Sequence, residues 1–341
     1  MKFRATFSSV GVQWLERFVP VFDKLGKELS VLLTPNTLHL VQDAVASGGL
    51  ELHADLLKDE VFDEYKIASN NADKIAFALE PATLHRVLRG LIGSEATHVE
   101  VKLIKRTVAP GKASPFLNFS SKGVVDITQD VPLAGPLTKR EVARLETLVQ
   151  ANVKDVPYWL NLDRSATEST AVTVERLKAV GAVVELATTR AGALHLVAVS
   201  AGAGGAVIGA ELQNLAALPA EEERPERAGS RGDRRAPGPN DRHPFEDDRS
   251  DDASAGAAER LHRAKTSGAA AAVRVDTRLL WKSLAGTHAN PSDCLFGVAR
   301  NKGHVELVYR FDRQAVHGND AVGLMVRVPV EEEDDVEFDD A

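Results

Sequence analysis

One short segment occurs twice in this chain. Thr37-Leu-His-Leu-Val41 returns as Ala193-Leu-His-Leu-Val197, an offset of 156 residues. A chain that repeats itself must build two copies of one supersecondary plan and pack them against each other. In each copy the segment follows a strand-like run (28–34 and 182–188) and a turn, Pro35-Asn36 or Arg190-Ala-Gly192. A helical period precedes each run, carried by Val12, Leu15, Val19, Phe22 and Leu25, and then by Thr170, Val174, Leu177 and Val180. The repeat resumes where Phe77-Ala-Leu-Glu80 leads to Leu84, Val87, Leu88 and Leu91, and Val273-Arg-Val-Asp276 leads to Leu280 and Leu284. Alternating strands follow at 98–105 and 303–310. Each half reads β-α-β-β-β twice. This predicts an α+β fold of two pseudo-repeated lobes, with helices on one face of antiparallel sheets.

The expected boundaries are a first lobe at 1–130, a connector at 131–156, a second lobe at 157–330 and a tail at 331–341. The connector opens as Asp130-Val-Pro-Leu-Ala-Gly-Pro-Leu137, an extended run punctuated by proline, and continues into a polar stretch, 138–150, with weak helical period. Within the second lobe, 219–267 is rich in Glu, Arg, Asp, Pro and Gly, with Phe245 and Leu261 almost its only long apolar residues. It is predicted to be a disordered insertion replacing a short turn between paired strands, because it cannot offset its own ordering entropy. The formal charge of −8 resides in the tail, where 331–341 carry eight acidic residues and no Lys or Arg. The body is therefore balanced, and a nucleic-acid partner stays open.

Chemical signatures are few. Cys294 is the only cysteine, which excludes an intrachain disulfide and a cysteine metal cluster, and its apolar run predicts a buried small side chain. Met1-Lys-Phe-Arg4 has no apolar stretch behind it, and the uncharged window 191–210 is broken by five glycines. Neither a secretory signal nor a membrane span is expected, and a reducing compartment is. The ten histidines show no H-E-x-x-H and no close pair with an acidic third ligand, so they are read as scattered strand and surface residues, with no metal. The glycine-rich turn 202–209 follows a strand as a dinucleotide-binding turn does, but Val207 stands where a small third residue is needed. No nucleophile elbow or P-loop appears.

What remains is charge on the helices. Arg17, Lys24 and Lys27 lie opposite the apolar stripe of the first helix, and Arg86 and Arg89 on the solvent side of the next. Arg176 and Lys178, then Arg278 and Lys282, hold the corresponding places in the second half, with Glu16, Asp23, Glu168 and Glu175 interrupting. Such residues are either a solvated helix face or a surface lining a phosphate backbone without reading bases.

The duplicated units, the extended crossover and these helix-borne cations resemble the sliding-clamp fold of proliferating cell nuclear antigen. Met1-Lys-Phe-Arg-Ala5, Leu33-Thr-Pro-Asn-Thr-Leu-His-Leu40, Asp130-Val-Pro132 and Asp276-Thr-Arg-Leu-Leu-Trp-Lys-Ser-Leu-Ala-Gly286, followed by Asn290-Pro291 and Asn301-Lys302, are similar to Hus-one-type subunits of the nine-one-one checkpoint clamp. The resemblance implies helices lining the inner face of the sheets and a non-catalytic subunit without cofactor. It implies a heterotrimeric ring with two related subunits, placed by a clamp loader around double-stranded DNA in the nucleus. It also implies checkpoint and repair proteins as partners, with Val131, Pro132 and Leu133 as a partner-binding connector. The insertion and tail lie outside the family core. A homotrimeric replication clamp and, remotely, an oxidoreductase using the 202–209 turn stay as alternatives.

Overall fold

The computed structural model describes residues 1–94, 98–123, 126–134, 137–150, 156–199, 207–219, 256–299, 303–311 and 322–331. The first half runs β1 (Lys2–Phe7), α1 (Gly11–Leu25), β2 (Leu29–Leu33), β3 (Thr37–Gln42), α2 (Ala44–Ser47), β4 (Glu51–Leu57), α3 (Lys58–Val61), β5 (Phe62–Ala68), β6 (Ile75–Leu79), α4 (Pro81–Gly93), β7 (His98–Ala109), β8 (Lys112–Lys122) and β9 (Ile127–Pro132). Helix α5 (Lys139–Gln150) intervenes. The second half runs β10 (Tyr158–Asp163), α6 (Arg164–Leu177), β11 (Val183–Thr189), β12 (Leu194–Val199), β13 (Val207–Leu212), β14 (Ala216–Pro219), α7 (Ala257–Thr266), β15 (Ala270–Asp276), α8 (Thr277–Ser283), a 3-10 turn (Leu284–Ala289), β16 (Asp293–Val298), β17 (His304–Arg310) and β18 (Val322–Pro329).

Local chemistry sets the helix starts. Pro81 opens α4, where its missing N–H costs nothing. Asp163 and Asp276 end β10 and β15, and their carboxylates accept from the backbone N–H of Ala166 (2.7 Å) and Leu279 (2.9 Å), capping α6 and α8. The long helix α1 continues through Pro20 and buries Val12, Leu15, Phe18, Val19, Phe22 and Leu25.

Strand pairing repeats as the sequence does. β1 lies between β5 and β7 as β10 lies between β14 and β16, and β2 lies between β3 and β6 as β11 lies between β12 and β15. Each half has one strand more than expected, β5 and β14, which pair with β1 and β10. The strands form a five-stranded sheet (β5-β1-β7-β8-β9), a nine-stranded sheet (β14-β10-β16-β17-β18-β4-β3-β2-β6) and a four-stranded sheet (β13-β12-β11-β15). The nine-stranded sheet crosses from one half to the other through β18 and β4, an antiparallel ladder from Val322↔Leu56 to Arg327↔Glu51. The core crosses with it. Phe311, after β17, sets its ring edge-on to Phe18 of α1 at 5.0 Å between centroids.

The insertion reading needs correcting at its C-terminal end. Residues 220–255 lie outside the described residues, but 257–266 form α7, which packs on the four-stranded sheet and buries Leu261. Arg260 donates to the Glu211 carboxylate from Nε at 3.1 Å, and Lys265 pairs with Glu185. Leu261 and these two cations, all between positions 260 and 265, give the helix one buried apolar contact and two ion pairs with which to dock. The flanking strands β14 and β15 belong to different sheets rather than pairing with each other. The tail beyond Glu331 lies outside the described residues.

Candidate nucleic-acid interface

The helices form one row. α4 packs on α1, α1 on the 3-10 turn that continues α8, and α8 on α6, so helices of both halves share a layer. Each buries its apolar side: Leu84, Val87, Leu88 and Leu91 in α4, Val174 and Leu177 in α6, Leu280 in α8. Arg17 and Lys24 on α1, Arg86 and Arg89 on α4, Arg176 on α6 and Arg278 on α8 are exposed on this row. Lys282 is half-buried, its ammonium close to the Gly48 turn of the first half. Lys24 of the first half lies near enough to His288 of the second to act on it. Lys24 on α1 and burial together push the His288 imidazole below its usual range, with burial the larger cause. Two aromatic rings support charges on this layer: the Arg17 guanidinium lies 5.2 Å from the Trp14 ring centroid, and the Lys178 ammonium 3.7 Å from that of Trp281.

Several assignments change. Lys27 is exposed but lies beyond α1, which ends at Leu25 with Gly26 as its cap. Lys178 caps α6 and is half-buried over Trp281, so it is less available than its neighbours. In the connector, Val131 and Leu133 are buried, Val131 at 0% exposure in β9 and Leu133 bridged to Leu79 of β6. Only Pro132 of that trio is exposed, because β9 extends the five-stranded sheet and turns every second side chain into the core. Helix α5 instead packs on β3, burying Leu145, with Lys74–Glu146 at 2.8 Å and Arg144–Asp43 at 3.2 Å as ties.

Residues 201–206 of the glycine turn lie outside the described residues, but β13 begins at Val207 and pairs antiparallel with β12 from Val199↔Val207 to Leu194↔Leu212. A strand follows the glycines where a dinucleotide turn requires a helix, which removes the oxidoreductase alternative. Cys294 is buried, and burial pushes its thiol far above the usual range, so it is held protonated. The histidines are not all scattered: His39, His53 and Asp55 converge on β3 and β4. Burial alone would raise the Asp55 carboxyl, but hydrogen bonds from His39 and His53 outweigh it and bring it to about 2. The sequence signal was the spacing His53-x-Asp55 on an alternating strand, which puts both side chains on one face; the cross-strand position of His39 follows only from register.

A solved structure of the proliferating cellular nuclear antigen from Entamoeba histolytica is similar over 97% of this chain and 99% of that one, with a TM-score of 0.60 and 8% identity. At that identity the likeness shows the fold, which is the sliding-clamp fold. A checkpoint protein hus1 homolog of Dictyostelium discoideum is 25% identical over 145 residues, 42% of this chain, and the match spans about half (52%) of that relative's length. The model of the Hus1-like protein family matches residues 1–316, through both halves of the repeat, and the chain belongs to that family.

Proposed function

We propose that this chain is a non-catalytic subunit of a heterotrimeric checkpoint clamp that encircles double-stranded DNA in the nucleus. One observation carries this reading. The β4–β18 ladder joins the two halves, and by the internal repeat its counterparts are β13 and β9. Those two strands are sheet edges among the described residues, and they belong to the two outer sheets. The same ladder made between β9 of one chain and β13 of the next continues the pattern head to tail, and three two-lobed chains close it as six lobes. Val199, Val207 and Ile208, exposed at the β12–β13 end, are apolar surface that such a joint would cover. The helix row then supplies sequence-independent phosphate attraction, which a closed ring can keep weak because topology holds the duplex. Two related clamp subunits, a clamp loader, and checkpoint and repair proteins are the partners this role requires.

The test is assembly. The chain mixed with candidate sister subunits should elute as a 1:1:1 complex, and Ile208→Asp should abolish it while leaving the subunit's thermal transition in place. Self-association of this chain alone into a stable trimer would favour a homotrimeric replication clamp. Normal assembly of Ile208→Asp would remove the edge-strand mechanism.

A further inference from the structure

The repeated Leu-His-Leu-Val segments place a histidine directly across from a carboxylate in both halves. His39 of β3 stands opposite Asp55 of β4, and His195 of β12 opposite Glu211 of β13. Both residues of the pair obey the offset of 156, so this is one duplicated unit. The third partner differs. In the second half Gly209 occupies the position two before Glu211, and Arg260 reaches in from α7 to bind the carboxylate, which is 7% exposed. In the first half the equivalent position is His53. Its Nε2–H donates to Asp55 Oδ1 at 2.6 Å, His39 Nδ1–H donates to the same oxygen, and the Asp55 side chain is 45% exposed. The two imidazole rings lie stacked with centroids 5.9 Å apart.

This arrangement has the chemistry of a ligand set. Two imidazole nitrogens and one carboxylate oxygen all lie within 4.8 Å of one another. Three such donors with a solvent-facing fourth position suit a tetrahedral ion of the zinc class. Magnesium and calcium prefer all-oxygen sites. Zinc bonds of about 2.0–2.2 Å in a tetrahedron hold ligand atoms roughly 3.3 Å apart, so only a small side-chain adjustment is needed. Strand geometry preorganises the donors: His53 and Asp55, two residues apart, share one face of β4, and the β3 register fixes His39 opposite Asp55 and diagonal to His53. The second half serves as an internal control, because Gly209 supplies no third donor and a guanidinium binds the Glu211 carboxylate instead.

We propose that His39, His53 and Asp55 bind one divalent ion of the zinc class on the central sheet, through His39 Nδ1, His53 Nε2 and an Asp55 oxygen. With the ion bound, the rings carry their protons on the other nitrogens, Nε2 of His39 and Nδ1 of His53. The ion ties β3 to β4, one strand from the β4–β18 joint.

The full chain, prepared without a histidine tag, is titrated near neutral pH with zinc chloride by calorimetry and with cobalt chloride by visible absorbance. The expected result is one equivalent of zinc and a tetrahedral cobalt band. His53→Gly, which installs the second half's residue, and Asp55→Asn should each weaken zinc binding by more than about tenfold. His195→Gln should bind as the parent does. Zinc should also raise the melting temperature of the parent and leave that of His53→Gly unchanged. A parent chain that takes up no stoichiometric zinc, or a His53→Gly chain that binds as tightly, overturns the proposal. Should a variant not fold, the parent's stoichiometry and cobalt spectrum decide alone.

Discussion

Gly286 shows how one residue can be fixed by a neighbour far away in sequence. A Cβ there would meet the Tyr309 ring at 2.1 Å, and that ring is fully buried, with its hydroxyl donating to the Ser283 carbonyl at 2.9 Å. The ring cannot move without giving up its hydrogen bond. Gly286→Ala should therefore cost about 1–3 kcal/mol, seen as a lower urea midpoint with unchanged slope. The His195–Glu211 pair makes a second residue-scale prediction. Burial lowers the His195 pKa from the ordinary 6.5. Burial would raise the Glu211 pKa, but the hydrogen bond from Arg260 and its other partners outweigh it and leave it below 4.5. Both folded values are depressed, so the stability they confer is present above the unfolded values and lost as pH falls through them. Acidification should weaken the fold first below about pH 6.5 and again below about pH 4.5, and His195→Gln should flatten the first step in urea midpoints measured across pH. Neither constraint could be read from the sequence. Leu284-Ala-Gly286 and Leu194-His195 are legible as core segments, but the ring against Gly286 and the guanidinium beside Glu211 come from distant elements.

At the scale of elements, α7 separates composition from context. It lies at the end of a segment whose composition argues against order, and its single buried long apolar residue, Leu261, gives almost no periodic signal. It forms because a sheet face and two carboxylates, Glu185 and Glu211, wait for it. Replacing 220–255 by a short Gly-Ser linker should change stability by no more than about 1–2 kcal/mol, since loop-closure entropy varies slowly with length. Extending the replacement through 267 should cost clearly more, because it uncovers the four-stranded sheet and strips Glu211 of its cation. Equal thermal transitions for the two deletions would show that α7 contributes nothing. The helices α1 and α4, by contrast, were legible residue by residue, since an apolar stripe repeated every third or fourth position needs no knowledge of the partner.

For the whole molecule, the consequence of the repeat is a pattern of joints. The halves share one nine-stranded sheet and one core, so the chain is a unit whose outer strands β9 and β13 repeat the edges already used inside it. The helix row makes the matching electrostatic prediction. Changing Arg17, Lys24, Arg86 and Arg89 together to Glu should shorten clamp residence on circular DNA, most at low salt, while leaving ring assembly intact. Loss of assembly in that variant would place these residues in a subunit contact instead.

The sequence by itself determined the duplication, the order of helices and strands, the apolar faces and the family, because these rest on local periodicity and on segments that keep their spacing. It also marked the cations as solvent-facing, although it ran α1 past Leu25 to include Lys27. Only the tertiary structure decided that Val131 and Leu133 are core rather than contact surface, that 257–266 is a helix, and that His39, His53 and Asp55 meet. The reason is the same in each case. Periodicity tells which way a side chain points within its own element, whereas strand register and sheet order, set by pairing across the chain, decide what stands in front of it.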